Sequence, residues 1–174
     1  MDNDYVDTIL RQWQRERPDL DASPMGVIGR ISRAARALGR ALDATFASFG
    51  LNGGEFDVLA TLRRSGPPYR LTPTELFRDL MLSSGAMTNR LDQLERANLV
   101  ARTPDPSDRR GTLVALTTQG QELVDAAVAA HLANEHHLLD ALSSDERAQL
   151  AQLLRKLLRS LEDRPSIGNS GDNS

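Results

Sequence analysis

Residues 83–117 read SSGAMTNRLDQLERANLVARTPDPSDRRGTLVALT, and this stretch decides the fold. Met87, Leu91 and Leu94 recur at the three- and four-residue spacing of one helix face, so its first part predicts an amphipathic helix. Arg90 lies about 60° around that helix from Met87, on the flank of the apolar stripe. A guanidinium that is always charged needs either an anionic partner at this place or a path along the flank to solvent.

The helical spacing ends near Asn98, and two short runs with strand character follow, at residues 99–103 and 112–116. The charged segment PDPSDRRG joins them as the tip of a hairpin. Upstream, TPTE at residues 72–75 predicts a capping box with proline at the first helical position, which starts a short helix. A short helix, a longer helix and a two-stranded hairpin, in this order, predict a mainly α winged helix-turn-helix. In that design the longer helix enters the major groove of DNA.

Apolar residues at helical spacing predict further helices on both sides of this module. They cover about residues 4–16, 24–49, 54–64, 117–141 and 144–161. Ser23 is the predicted N-cap of the second of these helices, and Ser143 that of the last. The outer helices carry alanine and leucine stripes, which favour dimerisation because two-fold dimers read palindromic DNA. The alternative is that these stripes pack within a single chain.

We therefore expect three regions along the chain. They are an N-terminal extension helix at residues 1–17, a winged-helix domain at residues 18–162 and a disordered tail at residues 163–174. Within the domain, the DNA-binding part covers about residues 53–117, and the dimerisation part covers about residues 18–50 and 118–162.

Composition excludes several classes of protein. The chain has 174 residues, of which 40% are apolar, and this suits one compact domain with a core. No apolar run approaches the roughly 20 residues of a membrane span, and no apolar leader is visible, so we expect a cytoplasmic protein. The absence of cysteine removes disulfides and thiolate metal sites. No glycine-rich phosphate loop or nucleophile motif is present, which argues against an enzyme and against a bound cofactor.

The charge is unevenly distributed. The net charge of −3 argues at first against a nucleic-acid partner. Between Leu62 and Gly111, however, nine arginines face six acidic residues, a local balance of +3 that leaves −6 for the rest of the chain. A basic middle between acidic arms favours a DNA reader, although a mixed solvated face would look similar.

A histidine-rich stretch offers a rival interpretation. His131, Glu135, His136 and His137 lie on one predicted helix, and imidazole with carboxylate is a zinc-binding combination. His131 and His136 are five residues apart, so they do not share a helix face as residues four apart do. We therefore expect no metal here and interpret them as surface or interface histidines. A third interpretation is a DNA-bending protein that responds to no ligand. It does not explain the charged residues of the third predicted helix, because DNA bending does not need them.

The stretch SSGAMTNRLDQLERANLVARTPDPSDRRGTLVALTTQG closely resembles the winged-helix core of the MarR family of transcriptional regulators. The resemblance covers about residues 25–161, and its most specific part is the hairpin sequence DPSDRRGTLVALT followed by a glycine. It implies a homodimer that binds a palindromic double-stranded operator, usually as a repressor, and that responds to a small molecule.

The resemblance assigns three DNA contacts to the hairpin tip. It implies that Arg110 enters the minor groove, that Asp108 braces it and that Arg109 contacts a neighbouring phosphate. The assignment is chemically reasonable because a narrow minor groove has an enhanced negative potential, which suits arginine. The alternative is a solvated charged loop.

Further DNA contacts are expected on the longer helix. Ser83 and Ser84 lie at its N-terminus, where free backbone N–H groups and the helix dipole suit a phosphate. Asn89 is the best candidate for reading a base, because its amide can pair bidentately with adenine. The weaker candidates, for which plain solvent exposure is the alternative, are Thr88, Asp92, Gln93 and Arg96.

Four residues further resemble the urate-responsive branch of the MarR family. In that branch a tryptophan on an N-terminal helix, an aspartate and two arginines form the ligand site, and here they match Trp13, Asp57, Arg64 and Arg90. Asp57 and Arg64 are seven residues apart, which places them on one helix face two turns apart. The resemblance implies a small-molecule effector, urate or another small organic anion or phenolic compound.

We interpret Arg90 as the residue that couples ligand to DNA. In this hypothesis Asp57 helps to hold Arg90 in the free protein, and the ligand takes over Arg90 and moves the DNA-reading helix. The alternatives are that Arg90 reaches a DNA phosphate along the helix flank, or that it forms a structural ion pair.

Overall fold

The computed structural model describes residues 3–80, 84–106, 108 and 111–163, and for residues 84–86 it describes the backbone. These residues form α1 (Tyr5–Glu16), α2 (Ser23–Ala47), α3 (Gly53–Arg64), β1 (Arg70–Leu71), α4 (Pro73–Leu80), α5 (Ser84–Arg96), β2 (Val100–Pro104), β3 (Thr112–Leu116), α6 (Thr118–Leu138) and α7 (Ser144–Glu162). The chain divides into two compact units, one ending at Asn134 and one beginning at Glu135. Within the described ranges, no helix is both long enough and apolar enough to cross a membrane.

Reciprocal capping boxes define where four of the helices begin. In each, the N-cap side chain accepts a hydrogen bond from the backbone three residues on, and the carboxylate there accepts one from the N-cap backbone. The pairs are Asp4 with Asp7, Asn52 with Glu55, Thr72 with Glu75, and Ser143 with Glu146. The predicted boxes at Thr72 and Ser143 are confirmed. The predicted N-cap at Ser23 is wrong, because Ser23 is already helical and its hydroxyl donates to Asp21.

The core lies where α3, α4 and α5 meet the sheet. The predicted apolar stripe of α5 is confirmed, since Met87, Leu91 and Leu94 are 3, 2 and 1% exposed. Each such side chain contributes roughly 1.5–3 kcal/mol by leaving water, so the orientation of α5 is set by burial. The other fully buried side chains of this core are Val58, Leu59, Leu62, Leu76, Val100, Val114 and Val124.

The sheet has three strands rather than the predicted two. β2 pairs antiparallel with β3 over its whole length, from Val100 opposite Leu116 to Pro104 opposite Thr112. β1 adds two residues on the other side of β3, giving the order β1-β3-β2. A two-residue strand is too short to show an alternating pattern, which is why the sequence did not predict β1. The mainly α architecture with an antiparallel hairpin is confirmed.

Helix α1 is held against the first half of α2. The guanidinium of Arg30 donates from Nε to Asp4 at 3.0 Å and from Nη2 to Asp7 at 2.7 Å. The guanidinium of Arg33 lies 5.1 Å from the ring centre of Tyr5. Val6 is buried beneath these contacts at 3% exposure. The ion pairs are partly exposed, so they are weak individually and are screened by salt.

Two glycines in helices have opposite surroundings. A methyl group at Gly120 would lie 2.8 Å from the carbonyl carbon of Leu99 and still closer to its oxygen, whereas one at Gly39 would meet nothing within 4 Å. We expect Gly120→Ala to lower the free energy of unfolding by about 1–3 kcal/mol, because backbone must move. Gly39→Ala, the matched control, should raise it by about 0.5–1 kcal/mol. Urea unfolding at one fixed protein concentration measures both, and a Gly120→Ala protein as stable as wild type would contradict the packing.

Candidate ligand pocket and DNA-reading surface

The face of α5 opposite the core is open to solvent. Thr88, Asn89, Gln93 and Arg96 are all exposed on it. The Nε of Arg96 donates to the backbone carbonyl of Asp92 at 3.1 Å. Ser84 is the first residue of α5, while Ser83 lies outside the described residues. The helix thus presents a polar face of the kind that reads base edges in a major groove.

Arg102 joins the hairpin to α5. From β2 its Nη1 donates to Glu95 Oε2 and its Nη2 to Asp92 Oδ1, both at 2.6 Å. The carboxylate of Asp92, expected as a weak candidate for DNA contact, therefore already forms an ion pair with an arginine of its own chain. The sequence analysis did not single out Arg102, because a strand residue and a helix residue ten positions apart show no spacing that predicts contact. These two ion pairs of Arg102 hold the hairpin and α5 together.

The hairpin tip is closed by backbone hydrogen bonds. The N–H of Gly111 donates to the carbonyl of Asp108 at 2.8 Å, and the N–H of Asp105 donates to the carbonyl of Gly111 at 3.0 Å. Asp108 is exposed at this tip. Arg109 and Arg110 lie outside the described residues, so the expected DNA contacts of both and the bracing of Arg110 by Asp108 stay predictions.

Asp57 and Arg64 of α3 form a charged cluster with Arg90 of α5. Burial raises the pKa of Asp57 above its ordinary value of 3.8, and the nearby charges of Arg90, Arg64 and His131, in that order, oppose the rise. The carboxylate is still open to water on one side, so its burial is partial. The described residues show no direct ion pair between Asp57 and Arg90, so attraction acts across a gap between them.

The guanidinium of Arg90 lies over the first turn of α3. A methyl group at Gly54 would be 2.6 Å from its Nη2 and closer still to its Nε and Cζ, so a larger residue would push the end of this flexible side chain aside. Arg90 itself is half-buried. A cation is unfavourable at a helix N-terminus, where free N–H groups already create a partial positive charge. Carboxylates offset this charge, namely those of Asp57 and of Glu55 on α3 and that of Asp43 near the end of α2.

An aromatic cluster positions the start of α3. The rings of Phe46 and Phe56 stack with their centres 4.2 Å apart. The ring of His131 tilts against them, 5.3 Å from Phe46 and 5.1 Å from Phe56. The place of His131 against these rings, with its charge acting on Asp57, was not predicted from the sequence. A signal was present, because His131 follows the buried Val124 and Ala127 at helical spacing on α6.

The histidine-rich stretch of α6 belongs to the part of the chain that the structure describes. No group of three histidine, aspartate or glutamate side chains comes together there in a way that would hold a metal ion. His131 contacts the two phenylalanine rings, and the Nδ1 of His137 lies 3.0 Å from the carboxylate of Asp140.

Trp13 lies apart from the other three predicted ligand residues. Its side chain is 41% exposed on α1. The cavity on which it opens is lined by Gln12, Arg15 and Glu16, which all belong to α1. The structure therefore brings together Asp57, Arg64 and Arg90 and leaves Trp13 outside their cluster.

The exposed α5, the hairpin fastened to it and the capped α4 before it define a winged helix-turn-helix DNA-binding domain. Solved structures support this class. A variant of MarR from Escherichia coli complexed with operator DNA matches with a TM-score of 0.68 and 29% identity, over 90% of this chain and 99% of that chain. Sco3205 from Streptomyces coelicolor, a MarR family regulator in complex with DNA, matches with a TM-score of 0.73 and 26% identity, over 84% and 95%.

Sequence comparisons agree with the structural ones. The model of the MarR family matches residues 51–112. The transcriptional regulator PecS of Dickeya dadantii is 42% identical over 156 residues, which are 90% of this chain and 94% of PecS. The multiple antibiotic resistance protein MarR of Escherichia coli is 35% identical over 122 residues, 68% of this chain and 81% of that protein. The chain belongs to the MarR family of DNA-binding transcriptional regulators, and these relatives are regulators rather than enzymes.

The contact between Gly54 and Arg90 is testable by a double-mutant cycle. Gly54→Ala forces the guanidinium aside, so it should gain less than the roughly 0.5–1 kcal/mol that alanine normally adds in a helix, whereas Gly54→Ala in an Arg90→Ala background should give the full gain. We expect a coupling of at least about 0.5 kcal/mol in the free energy of unfolding. Gly53→Ala is the matched control, since a methyl group there would meet its neighbours, Asp43 and Phe46, at 3.5 Å or more. Additive effects of Gly54→Ala and Arg90→Ala would contradict the contact.

The raised pKa of Asp57 predicts how its replacement changes stability with pH. The folded chain disfavours ionisation of the Asp57 carboxyl. The stabilisation that its protonated form provides is therefore fully present below the unfolded pKa, near 3.8, and is lost as pH rises through the raised folded pKa. Asp57→Asn keeps the side chain neutral, so it should unfold at higher urea concentration than wild type at pH 7, with a difference that shrinks on acidification. Asp19→Asn should show no such gain, because the hydrogen bond from Arg17 lowers the pKa of Asp19. Equal stabilities of wild type and Asp57→Asn at pH 7 would exclude this effect.

Proposed function

We propose that the protein is a homodimeric repressor of the cytoplasm, released from a palindromic operator by urate or a related small anion. The observation that carries the proposal is the position of Arg90, which belongs to the DNA-reading helix but lies over the start of α3 beside Asp57. An anion bound at α3 would reach the DNA-reading helix directly through this side chain.

The chemistry of the cluster favours a small planar anion. Urate carries one negative charge at neutral pH and has donors and acceptors around its rim. The guanidinium groups of Arg64 and Arg90 can pair with such a rim in a fork. Asp57 repels the anion, so binding changes the balance of charge around Arg90. Other small organic anions or phenolic compounds that present the same acceptors remain the second candidates.

The regulatory step follows from competition for Arg90. In the free protein, Asp57 attracts Arg90 towards α3 and α5 keeps the orientation that fits a major groove. Once the anion takes Arg90, α5 shifts with it. A ligand moves such an equilibrium only through its different affinities for the two states, and a coupling of about 1–3 kcal/mol weakens DNA binding about 5- to 150-fold.

Dimerisation is proposed through the outer helices, residues 18–50 and 118–162. On α2 the side chains of Val27 and Ile28 are 58% and 56% exposed in the single chain, and on α7 those of Leu153 and Leu158 are 66% and 56% exposed. Apolar faces of this kind are typical of surfaces that a partner covers. A two-fold dimer would present two copies of α5 to the two halves of a palindromic operator.

The first experiment is a urate titration followed by the fluorescence of Trp13, the single tryptophan of the chain. We expect a saturable change that Arg64→Ala and Arg90→Ala abolish, and that Arg78→Ala, at an exposed arginine on α4, leaves intact. No change with urate or xanthine, in protein that still binds DNA, would reject urate as the effector.

The same variants test the coupling role of Arg90 when operator DNA is present. Arg90→Ala should bind operator about as tightly as wild type and should no longer be released by urate. In wild type we expect urate to weaken operator affinity about 5- to 150-fold, which corresponds to a coupling of about 1–3 kcal/mol. A uniform loss of DNA affinity with an intact response to urate would identify Arg90 as a phosphate contact instead.

A further inference from the structure

The contacts of α1 fix its direction along α2. A methyl group at Gly29 would lie 3.5 Å from Val6 Cγ1, and one at Gly26 would lie 3.3 Å from Leu10 Cδ1. Residue numbers therefore rise along α1 as they fall along α2, and the two helices are antiparallel. Trp13, almost one turn beyond Leu10, is level with the beginning of α2.

The charged cluster lies at the opposite end of α2. Phe46, in the last turn of α2, stacks on Phe56, which directly precedes Asp57. A methyl group at Gly53 would likewise lie 3.5 Å from Asp43 Oδ1. The start of α3, and Asp57 with it, is thus packed beside the end of α2.

The length of α2 separates the two places. From Gly26 to Asp43 the helix is continuous, and a helix rises 1.5 Å per residue, so these positions are about 25 Å apart. Trp13 lies beyond Gly26, and Asp57 lies next to the residues at the other end. This separation is several times the width of a purine, so one bound ligand cannot contact Trp13 and Asp57 of the same chain.

We propose that each ligand pocket is completed by Trp13 of the partner subunit. A two-fold axis perpendicular to α2 reverses its direction, so the beginning of α2 in one subunit lies beside the end of α2 in the other. The partner's Trp13 then faces the Asp57, Arg64 and Arg90 of this chain. This inference rests on the proposed function, in which these four residues bind one small anion.

The surface of α2 fits such a partner. An apolar groove of about 590 Å³ runs between α1 and α2 and is open to solvent, lined mainly by Tyr5, Ile9, Met25 and Ile28. Charge also favours the antiparallel direction, because the turn before α2 carries exposed Asp21 beside the Arg17–Asp19 pair, whereas the second half of α2 carries exposed Arg36 and Arg40 against the single acid Asp43. A second copy of this chain, antiparallel, brings the acidic end of each helix to the basic end of the other.

Mixed dimers test the arrangement without any ligand, because the natural chain has no cysteine. One chain carries Trp13→Cys and the other Asp57→Cys, with different affinity tags, and the mixed dimer is treated with a short bis-maleimide. We expect a covalent dimer. The matched control places cysteine at Gln14, exposed on α1 about 100° around the helix from Trp13. A yield of covalent dimer no higher than that of the Gln14→Cys control overturns the proposal.

Binding by mixed dimers tests the same arrangement with urate. Each homodimer of Trp13→Ala or Arg64→Ala has two defective sites, so urate binding by both should be lost. In the mixed dimer, the Trp13→Ala chain keeps its three charged residues and receives an intact tryptophan from its partner. We expect half the wild-type number of sites by calorimetry, and a mixed dimer with no site overturns the proposal. Wild type that does not bind urate would reject the proposed effector, and the cross-linking result would then decide the subunit arrangement by itself.

Discussion

The guanidinium of Arg90 over the first turn of α3 is the contact on which the proposed regulation depends, because it joins α5 to α3. A glycine at position 54 leaves open the space that the guanidinium occupies. The contact also places positive charge where a helix dipole is already positive, which is unfavourable unless an anion is close. Asp57 and Glu55 supply negative charge there from within the chain. On the proposed function, an anion that enters the site competes with these carboxylates for Arg90 and acts through it on α5.

The hairpin shares in any movement of that helix. Arg102 connects β2 to Asp92 and Glu95 of α5 through two short hydrogen bonds, so displacement of α5 also displaces the hairpin tip. On the proposed function, a small shift at Arg90 would therefore change the DNA contacts of α5 and of the hairpin together. A repressor built like this needs no large rearrangement to leave its operator, since one rigid group loses its fit.

Local chemistry accounts for what the sequence predicted correctly. The buried stripe of α5 follows from the spacing of Met87, Leu91 and Leu94, and the capping boxes at Thr72 and Ser143 follow from two residues three positions apart. The features it missed depend on contacts between distant segments. Strand β1 exists because β3 offers it a partner, and Arg102 meets Asp92 because the hairpin folds back on α5. The match of Trp13, Asp57, Arg64 and Arg90 to a ligand site rests on resemblance. No spacing in the sequence shows that Trp13 and Asp57 lie beside opposite ends of α2.

The fastening of α1 has a consequence for how such a sensor would behave inside a living cell. Arg30 holds Asp4 and Asp7 through ion pairs that water reaches, and ions in the surrounding medium weaken pairs of this kind. Binding to the phosphate backbone of DNA weakens with salt as well. A cell under osmotic stress that accumulates potassium would thus loosen the arm that bears the tryptophan and the grip on the operator at once. On the proposed function, the concentration of effector needed for release from the operator would then depend on the salt concentration around the protein.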